Sequence, residues 1–144
     1  MLRTSDSTII VGVTRFIVPV IQIFAFYIIF HGHYSPGGGF QGGAMLAASI
    51  LLQRIVVGDS LSHQMFPLKL GILLGVLGLL IFAGVGAIGL ESPFRFLDYA
   101  ALPFDMDAAA LRYFGILLVE IGVAFTVLGT LVLIYDQIVS EGKQ

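Results

Sequence analysis

Four ionisable side chains of this chain lie within or beside long apolar stretches. Glu120 and Arg15 each interrupt an apolar segment, and His31 and His33 border a stretch rich in glycine. A charged side chain near the centre of a membrane costs about 2.5–3.5 kcal/mol on insertion scales, so it normally faces protein or water. There a carboxylate can carry a proton or hold a cation, and an arginine can hold an acid. These four residues are therefore the candidates for an ion pathway.

Other chemistry is not supported by the spacing. His31-x-His33 presents two imidazoles, but a metal site needs further ligands, and no third one is adjacent in the sequence. Gly37-x-Gly39-x-x-Gly42 matches a dinucleotide-binding pattern, which works only after a strand. The preceding segment is apolar for about 22 residues, the length of a membrane span. No nucleophile adjoins a base, so we predict no enzyme, no metal site and no cofactor.

The composition indicates an integral membrane protein. Of the 144 residues, 58% are hydrophobic and only 11% are charged. In a soluble domain about a quarter of all residues are charged. The net charge of −2 and the lack of a basic cluster give no indication of nucleic-acid binding, and we predict no nucleic-acid partner. Cysteine is absent, which excludes disulfides and thiolate metal sites. We expect residues 1–144 to form a single transmembrane domain.

Four apolar segments predict an all-α protein with spans at about 8–30, 36–57, 68–90 and 113–135. Residues 58–64 are expected to form a polar turn, and residues 91–112 are expected to lie along the interface. Three spans carry stripes of small residues that favour close helix packing. These residues are Gly39, Gly43 and Ala47, then Gly71, Gly75, Gly78, Gly86 and Gly89, and finally Gly115, Gly122 and Gly129.

Charge placement predicts the topology and a larger assembly. Four spans put both termini on one side, and that side carries most of the basic residues, so the positive-inside rule predicts cytoplasmic termini. Arg15 and Glu120 each lie about 10 Å inside the membrane, from opposite faces. They are therefore not expected to pair, and each requires a counter-charge elsewhere, in another subunit.

The glycine-rich stretch between the first two spans predicts an abrupt hairpin. Pro36 restrains the residue before it to an extended conformation and suits the first turn of a helix. We therefore expect Pro36 to start the second span. The glycines that follow leave the backbone accessible to a neighbouring helix or to an ion.

The run Gly32-His33-x-Ser35-Pro36-Gly37-Gly38-Gly39-Phe40-x-Gly42-Gly43 closely resembles the signature of the B subunit of Mrp/Mnh-type multisubunit cation/proton antiporters. The four-span plan resembles that family over nearly the whole chain. The resemblance implies a plasma-membrane subunit of a hetero-oligomeric complex that exchanges Na⁺ for H⁺. It assigns no role to Glu120 or Arg15. The matching positions are His33, Pro36, Gly37, Gly38, Gly39, Phe40, Gly42 and Gly43.

Two questions stay open at the level of sequence. The same motif also occurs in homologous subunits of energy-converting hydrogenase-type redox complexes, so the setting is not settled by the motif. The subunit can contribute Glu120 to a cation or proton route, or it can be purely structural, with its glycine stripes joining neighbours while other subunits conduct.

Overall fold

The computed structural model describes residues 7–32, 34, 37–90 and 96–142, with only the backbone described at 59 and 60. Within these ranges the chain is helical and contains no strand. The helices are α1 (Thr8–His31), α2 (Gly39–Val57), α3 (Asp59–Met65), α4 (Leu68–Ile88) and α5 (Ala108–Glu141), with one 3₁₀ turn at Tyr99–Ala101. The predicted all-α class is therefore confirmed.

Four of these helices, α1, α2, α4 and α5, are long and apolar enough to cross a membrane. The 34 residues of α5 correspond to a length of about 51 Å, against a hydrocarbon core of about 30 Å. We call the side where α1 ends and α2 begins the hairpin side. The opposite side, where α1 begins and α5 ends, is called the terminal side.

The helices differ from the predicted segments in three places. The second span begins at Gly39 rather than at Pro36, which lies outside the described residues. The expected polar turn contains α3, which begins directly after Gly58, where a φ of 98° reverses the chain. The last helix begins at Ala108, well before the predicted span, because Asp107 Oδ1 accepts a hydrogen bond of 2.9 Å from the Ala110 amide and caps it. The described part of the expected interfacial segment contains the 3₁₀ turn and the first residues of α5.

The spanning helices form a row in the order α1, α2, α5, α4. Contacts such as the 3.2 Å hydrogen bond from Gln22 Nε2 to Ser49 Oγ show that α1 and α2 are antiparallel. The two central helices, α2 and α5, run parallel. Their shared core with α1 consists of Ala25, Ile29, Leu46, Ala47, Ile50, Ala124, Leu128 and Val132.

The predicted stripe on α2 packs against α5. An added Cβ at Gly39 would overlap the Glu120 carbonyl oxygen, and one at Gly43 would lie 2.6 Å from the Ala124 carbonyl oxygen. Because each neighbour is backbone, no side chain can move aside to make room. Gly42 lies between these two positions but faces α1 instead, where an added Cβ would lie 2.9 Å from the Ala25 carbonyl oxygen.

A second glycine contact joins α5 to α4. A Cβ at Gly122 would lie 2.9 Å from the Gly78 carbonyl oxygen, and one at Gly129 would lie 2.7 Å from the Gly75 amide nitrogen and closer still to the Gly71 carbonyl. Small residues permit this approach in membrane helices, where packing replaces the hydrophobic driving force. Two glycines of the predicted stripes have different neighbours: Gly86 packs against the ring of Phe96, and Gly115 packs against that of Tyr99.

We expect Gly43→Ala to destabilise the protein by about 1–3 kcal/mol, the usual cost of overpacking, because the new methyl group meets backbone. Thermal unfolding of the detergent-purified chain measures the effect. The matched control is Gly84→Ala on α4, where an added Cβ has nothing within 4 Å. The control should leave the melting temperature unchanged or raise it, since alanine favours helix by about 1 kcal/mol. Equal melting temperatures for Gly43→Ala and the native chain would contradict the proposed contact.

Candidate functional site

The side chain of Glu120 ends against the glycine hairpin. A Cβ at Gly32 would lie 2.5 Å from Glu120 Oε1 and 2.6 Å from Oε2, and a Cβ at Gly38 would lie 3.3 Å from Oε1. Gly32 follows the last residue of α1, and Gly38 precedes the first residue of α2. The carboxylate therefore lies between the end of one helix and the start of the next, in space that a larger residue at Gly32 would fill.

The contact between α2 and α5 places the carboxylate there. Gly39 packs on the main chain of Glu120 itself, so the backbone of Glu120 adjoins the first residue of α2. The α2 N-terminus has Gly38 as its N-cap, no side-chain cap, and no acidic residue in its first turn. Helix N-termini carry a partial positive charge that favours a nearby anion. A carboxylate from α5 thus supplies the negative charge that α2 lacks.

One oxygen of this carboxylate has no protein partner among the described residues. Glu120 Oε2 is buried and accepts no hydrogen bond from them. Leaving a buried polar atom unsatisfied costs about 1–3 kcal/mol, and more for a charged group. A bound proton, a water molecule or a cation would remove that cost. Within the described ranges, no group of three or more His, Cys, Asp and Glu side chains is placed to hold a metal ion.

Tyr99 is a polar neighbour that the sequence alone did not single out. Its ring packs on Gly115, where a Cβ would lie 2.5 Å from Cδ1. Burial, and secondly the negative charge of Glu120, raise the pKa of the Tyr99 phenol above its usual value of 10.0. The phenol therefore lies within the field of the carboxylate. No pattern in the sequence indicated this contact, because it depends on how the 3₁₀ turn packs on α5.

Of the two histidines that were candidates for an ion pathway, the structure describes only His31. His31 is the last residue of α1; its exposed ring stacks on Tyr27 with centroids 4.3 Å apart, and Nδ1–H donates to the Tyr27 carbonyl at 3.0 Å. His33 and Pro36 lie outside the described residues.

The other motif positions have distinct neighbours. Gly37 adjoins the side chains of Gln41 and Ile28, and Phe40 is exposed on α2. Gly38 faces the carboxylate, Gly39 and Gly43 face the α5 backbone, and Gly42 faces α1.

Arg15 is not brought to Glu120. It is exposed on α1 and borders a cavity between α1, α2 and α3, near the terminal side. This position agrees with the expectation that the two residues are not partners.

A buried ion pair at the terminal side was not predicted from the sequence. Arg54, which is 1% exposed, pairs with Asp136 of α5, and its Nη2 donates to the Phe66 carbonyl at 2.9 Å. His63 Nε2 lies 3.9 Å from Asp136 Oδ1. The sequence feature that could have indicated this pair is the presence of opposite charges, Arg54 and Asp136, at the ends of two spans. Along α5, Asp136 is about 24 Å from Glu120, so the two charged sites lie near opposite membrane boundaries.

Four packed membrane helices, with an intramembrane carboxylate that has no counter-ion among the described residues, define a small polytopic membrane protein with an ionisable centre. The chain belongs to the family described as "Domain related to MnhB subunit of Na+/H+ antiporter", whose model matches residues 9–133. It is similar to the B subunit of the Na(+)/H(+) antiporter of Bacillus subtilis, with 29% identity over 136 residues, covering 90% of this chain and 94% of the relative. The corresponding B subunit of Alkalihalophilus pseudofirmus is 30% identical over 135 residues, covering 88% and 93% respectively.

We expect Asp136→Asn to destabilise the protein by about 3–5 kcal/mol, because it leaves the buried Arg54 guanidinium without its counter-charge. Thermal unfolding and the yield of purified protein measure the loss. Asp105→Asn, at an exposed position, is the control and should change neither quantity. Replacing both partners, as Arg54→Met with Asp136→Leu, should recover most of the stability, since no buried charge remains. A native melting temperature for Asp136→Asn would contradict the pair.

Proposed function

We propose that this chain is a small membrane subunit of a multisubunit Na⁺/H⁺ antiporter and that Glu120 is the ionisable group of a proton or cation route through it. The observation that carries the proposal is the Glu120 carboxylate, which is held against the glycine hairpin with a buried oxygen that has no described hydrogen-bond partner. In a membrane such an acid normally faces protein or water rather than lipid.

The family supports the antiporter setting. Both relatives named above are Na⁺/H⁺ antiporter subunits, which favours an antiporter over a redox complex as the assembly. The partners are then other membrane subunits in the plasma membrane, and the transported ions of the complex are Na⁺ and H⁺. The chain is a component of a transporter rather than an enzyme.

In this proposal each neighbour of Glu120 has a part in ion transfer. The N-terminus of α2 stabilises the ionised carboxylate. Gly32 and Gly38 have no side chains, which lets the hairpin backbone pack directly against the carboxylate while Oε2 stays buried. The Tyr99 phenol is a proton donor on the same side of the membrane. Uptake of a proton or cation by Oε2 neutralises the group, and release restores its charge.

A purely structural role is the second candidate. The close contacts of α2 with α5 and of α5 with α4 favour it, as does the buried Arg54–Asp136 pair. In that case Glu120 stays protonated and serves only as a hydrogen-bond donor to a neighbouring protein of the complex.

We expect Glu120→Gln to abolish cation-driven proton exchange, measured with a pH dye in inverted vesicles, while the yield of the assembled complex stays near normal. Glutamine keeps the size and hydrogen-bonding capacity of glutamate but cannot ionise. Glu141→Gln, at an exposed position near the end of α5, is the control for loss of one acid and should exchange normally. Normal yield together with normal exchange for Glu120→Gln would refute the ion route and leave the structural role.

A second variant tests the position of the carboxylate. In Gly32→Ala the three atoms nearest the new methyl group all belong to the flexible end of Glu120, so the carboxylate shifts while the helix contacts remain. Exchange should fall with the complex still assembled. Gly12→Ala on α1, where an added Cβ has open space, should behave as the native protein. A fully active Gly32→Ala would show that the contact with the hairpin is not required.

We further propose that both termini lie in the cytoplasm, because basic residues are in excess on the terminal side. A cysteine replacing Gln64, which is exposed on α3, should be protected from an impermeant thiol reagent in intact cells. A cysteine replacing Asp105, which is exposed between the 3₁₀ turn and α5, should be labelled. Labelling of Gln64→Cys with protection of Asp105→Cys would reverse the orientation.

A further inference from the structure

A cavity of about 250 Å³ lies between α1, α2 and α3, far from Glu120. Arg15 and Thr14 border it from α1, Gln53 borders it from α2, and Ser62 borders it from α3. None of its described lining residues carries a negative charge. The polar part of the wall therefore consists of a cation and of groups that can all donate hydrogen bonds.

Two of these donors lack partners. In the part of the chain that the structure describes, Arg15 is exposed and makes no ion pair. Ser62 is 1% exposed, and its Oγ is buried with no hydrogen-bond partner among the described residues. A buried unpaired hydroxyl is costly, so an acceptor that enters the cavity would satisfy it. The complement of this wall is an anion with several acceptor oxygens.

The remaining wall is apolar and lies at the level of the membrane boundary. Val57, Leu61 and Met65 line it, and the last two are 45% and 64% exposed. The backbone of Arg15 lies about 10 Å along α1 from its first residue, and arginine extends its guanidinium from such a depth toward the headgroups. The cavity thus joins an anion-binding end at headgroup level to an apolar surface.

We propose that this cavity binds an anionic phospholipid of the terminal-side leaflet. Arg15 pairs with the lipid phosphate, Ser62 and Gln53 donate to its oxygens, and an acyl chain covers Leu61 and Met65. A phosphate accepts from a guanidinium and from hydroxyl and amide donors together. A lipid also supplies an apolar chain next to that phosphate, which a carboxylate from a neighbouring protein of the complex does not.

Photocross-linking of the assembled complex tests this proposal. A photoreactive benzoylphenylalanine replaces Met65, and the complex is reconstituted in vesicles of equal parts phosphatidylglycerol and phosphatidylcholine with identical acyl chains. After irradiation, mass spectrometry of the α3 peptide counts the adducts. We expect phosphatidylglycerol adducts to exceed phosphatidylcholine adducts about fivefold, the preference that one basic residue confers near an anionic surface.

Matched variants identify the residue responsible. Arg15→Gln should bring the adduct ratio to about one, and Ser62→Ala should lower it. Lys69→Gln removes the same charge from an exposed terminal-side position outside the cavity and should keep the ratio. Four outcomes would overturn the proposal: equal adducts of both lipids in the native background, a ratio unchanged by Arg15→Gln, a neighbouring protein as the main adduct, or loss of the preference on adding inorganic phosphate.

Discussion

The rest of the structure depends on the close approach of two parallel helices, α2 and α5. Gly39 packs on the main chain of Glu120 and Gly43 on that of Ala124, so the register of the two helices is fixed by backbone rather than by side chains. Lipid offers no hydrophobic driving force between helices, and association relies on such packing. Once the register is fixed, the carboxylate of Glu120 must lie at the N-terminus of α2. The Arg54 side chain must likewise meet Asp136 at the other end. The outer helices α1 and α4 then pack on this pair.

The two charged sites on this pair of helices differ in their ion-pair partners. Arg54 is fully buried with an ion-pair partner and a backbone acceptor. Breaking a buried pair is far more destabilising than replacing it whole, so this site specifies how the helices align. Glu120 lies deeper in its span and pairs with no basic side chain in the described ranges, and its Oε2 accepts no hydrogen bond from them. Such an arrangement is costly in a group that only holds helices together, whereas an ion-transfer group requires access for its ion.

Much of this architecture could be predicted from the sequence, because membrane spans and small-residue stripes are local patterns. Glu120 was identifiable from its depth alone, and the α2 stripe from the spacing of Gly39 and Gly43. The Arg54–Asp136 pair was not identifiable in this way, since it depends on the register of two helices distant in sequence. The start of α2 was misplaced because Pro36 suits a first turn, while the structure begins the helix at Gly39, after an extended Gly38 with φ of 177°. The contact of Gly32 with the Glu120 carboxylate could not be predicted either. It depends on how the helices are aligned, because the two residues are 88 positions apart in the sequence.

The glycine motif therefore has two different physical roles within a few residues, helix packing and placement of a carboxylate. Gly39 and Gly43 face backbone that cannot move, so side chains there act on helix packing and on assembly. Gly32 and Gly38 face the end of a flexible carboxylate, so side chains there act on the position of a charge. The two groups are linked, because the contact at Gly39 is with the residue whose side chain reaches Gly32 and Gly38. A displacement of α2 along α5 would move the N-terminus of α2 away from the carboxylate and remove its electrostatic support. Packing and charge are thus coupled at Glu120, and a neighbouring protein that shifts α2 would change the ionisation of the site without touching it.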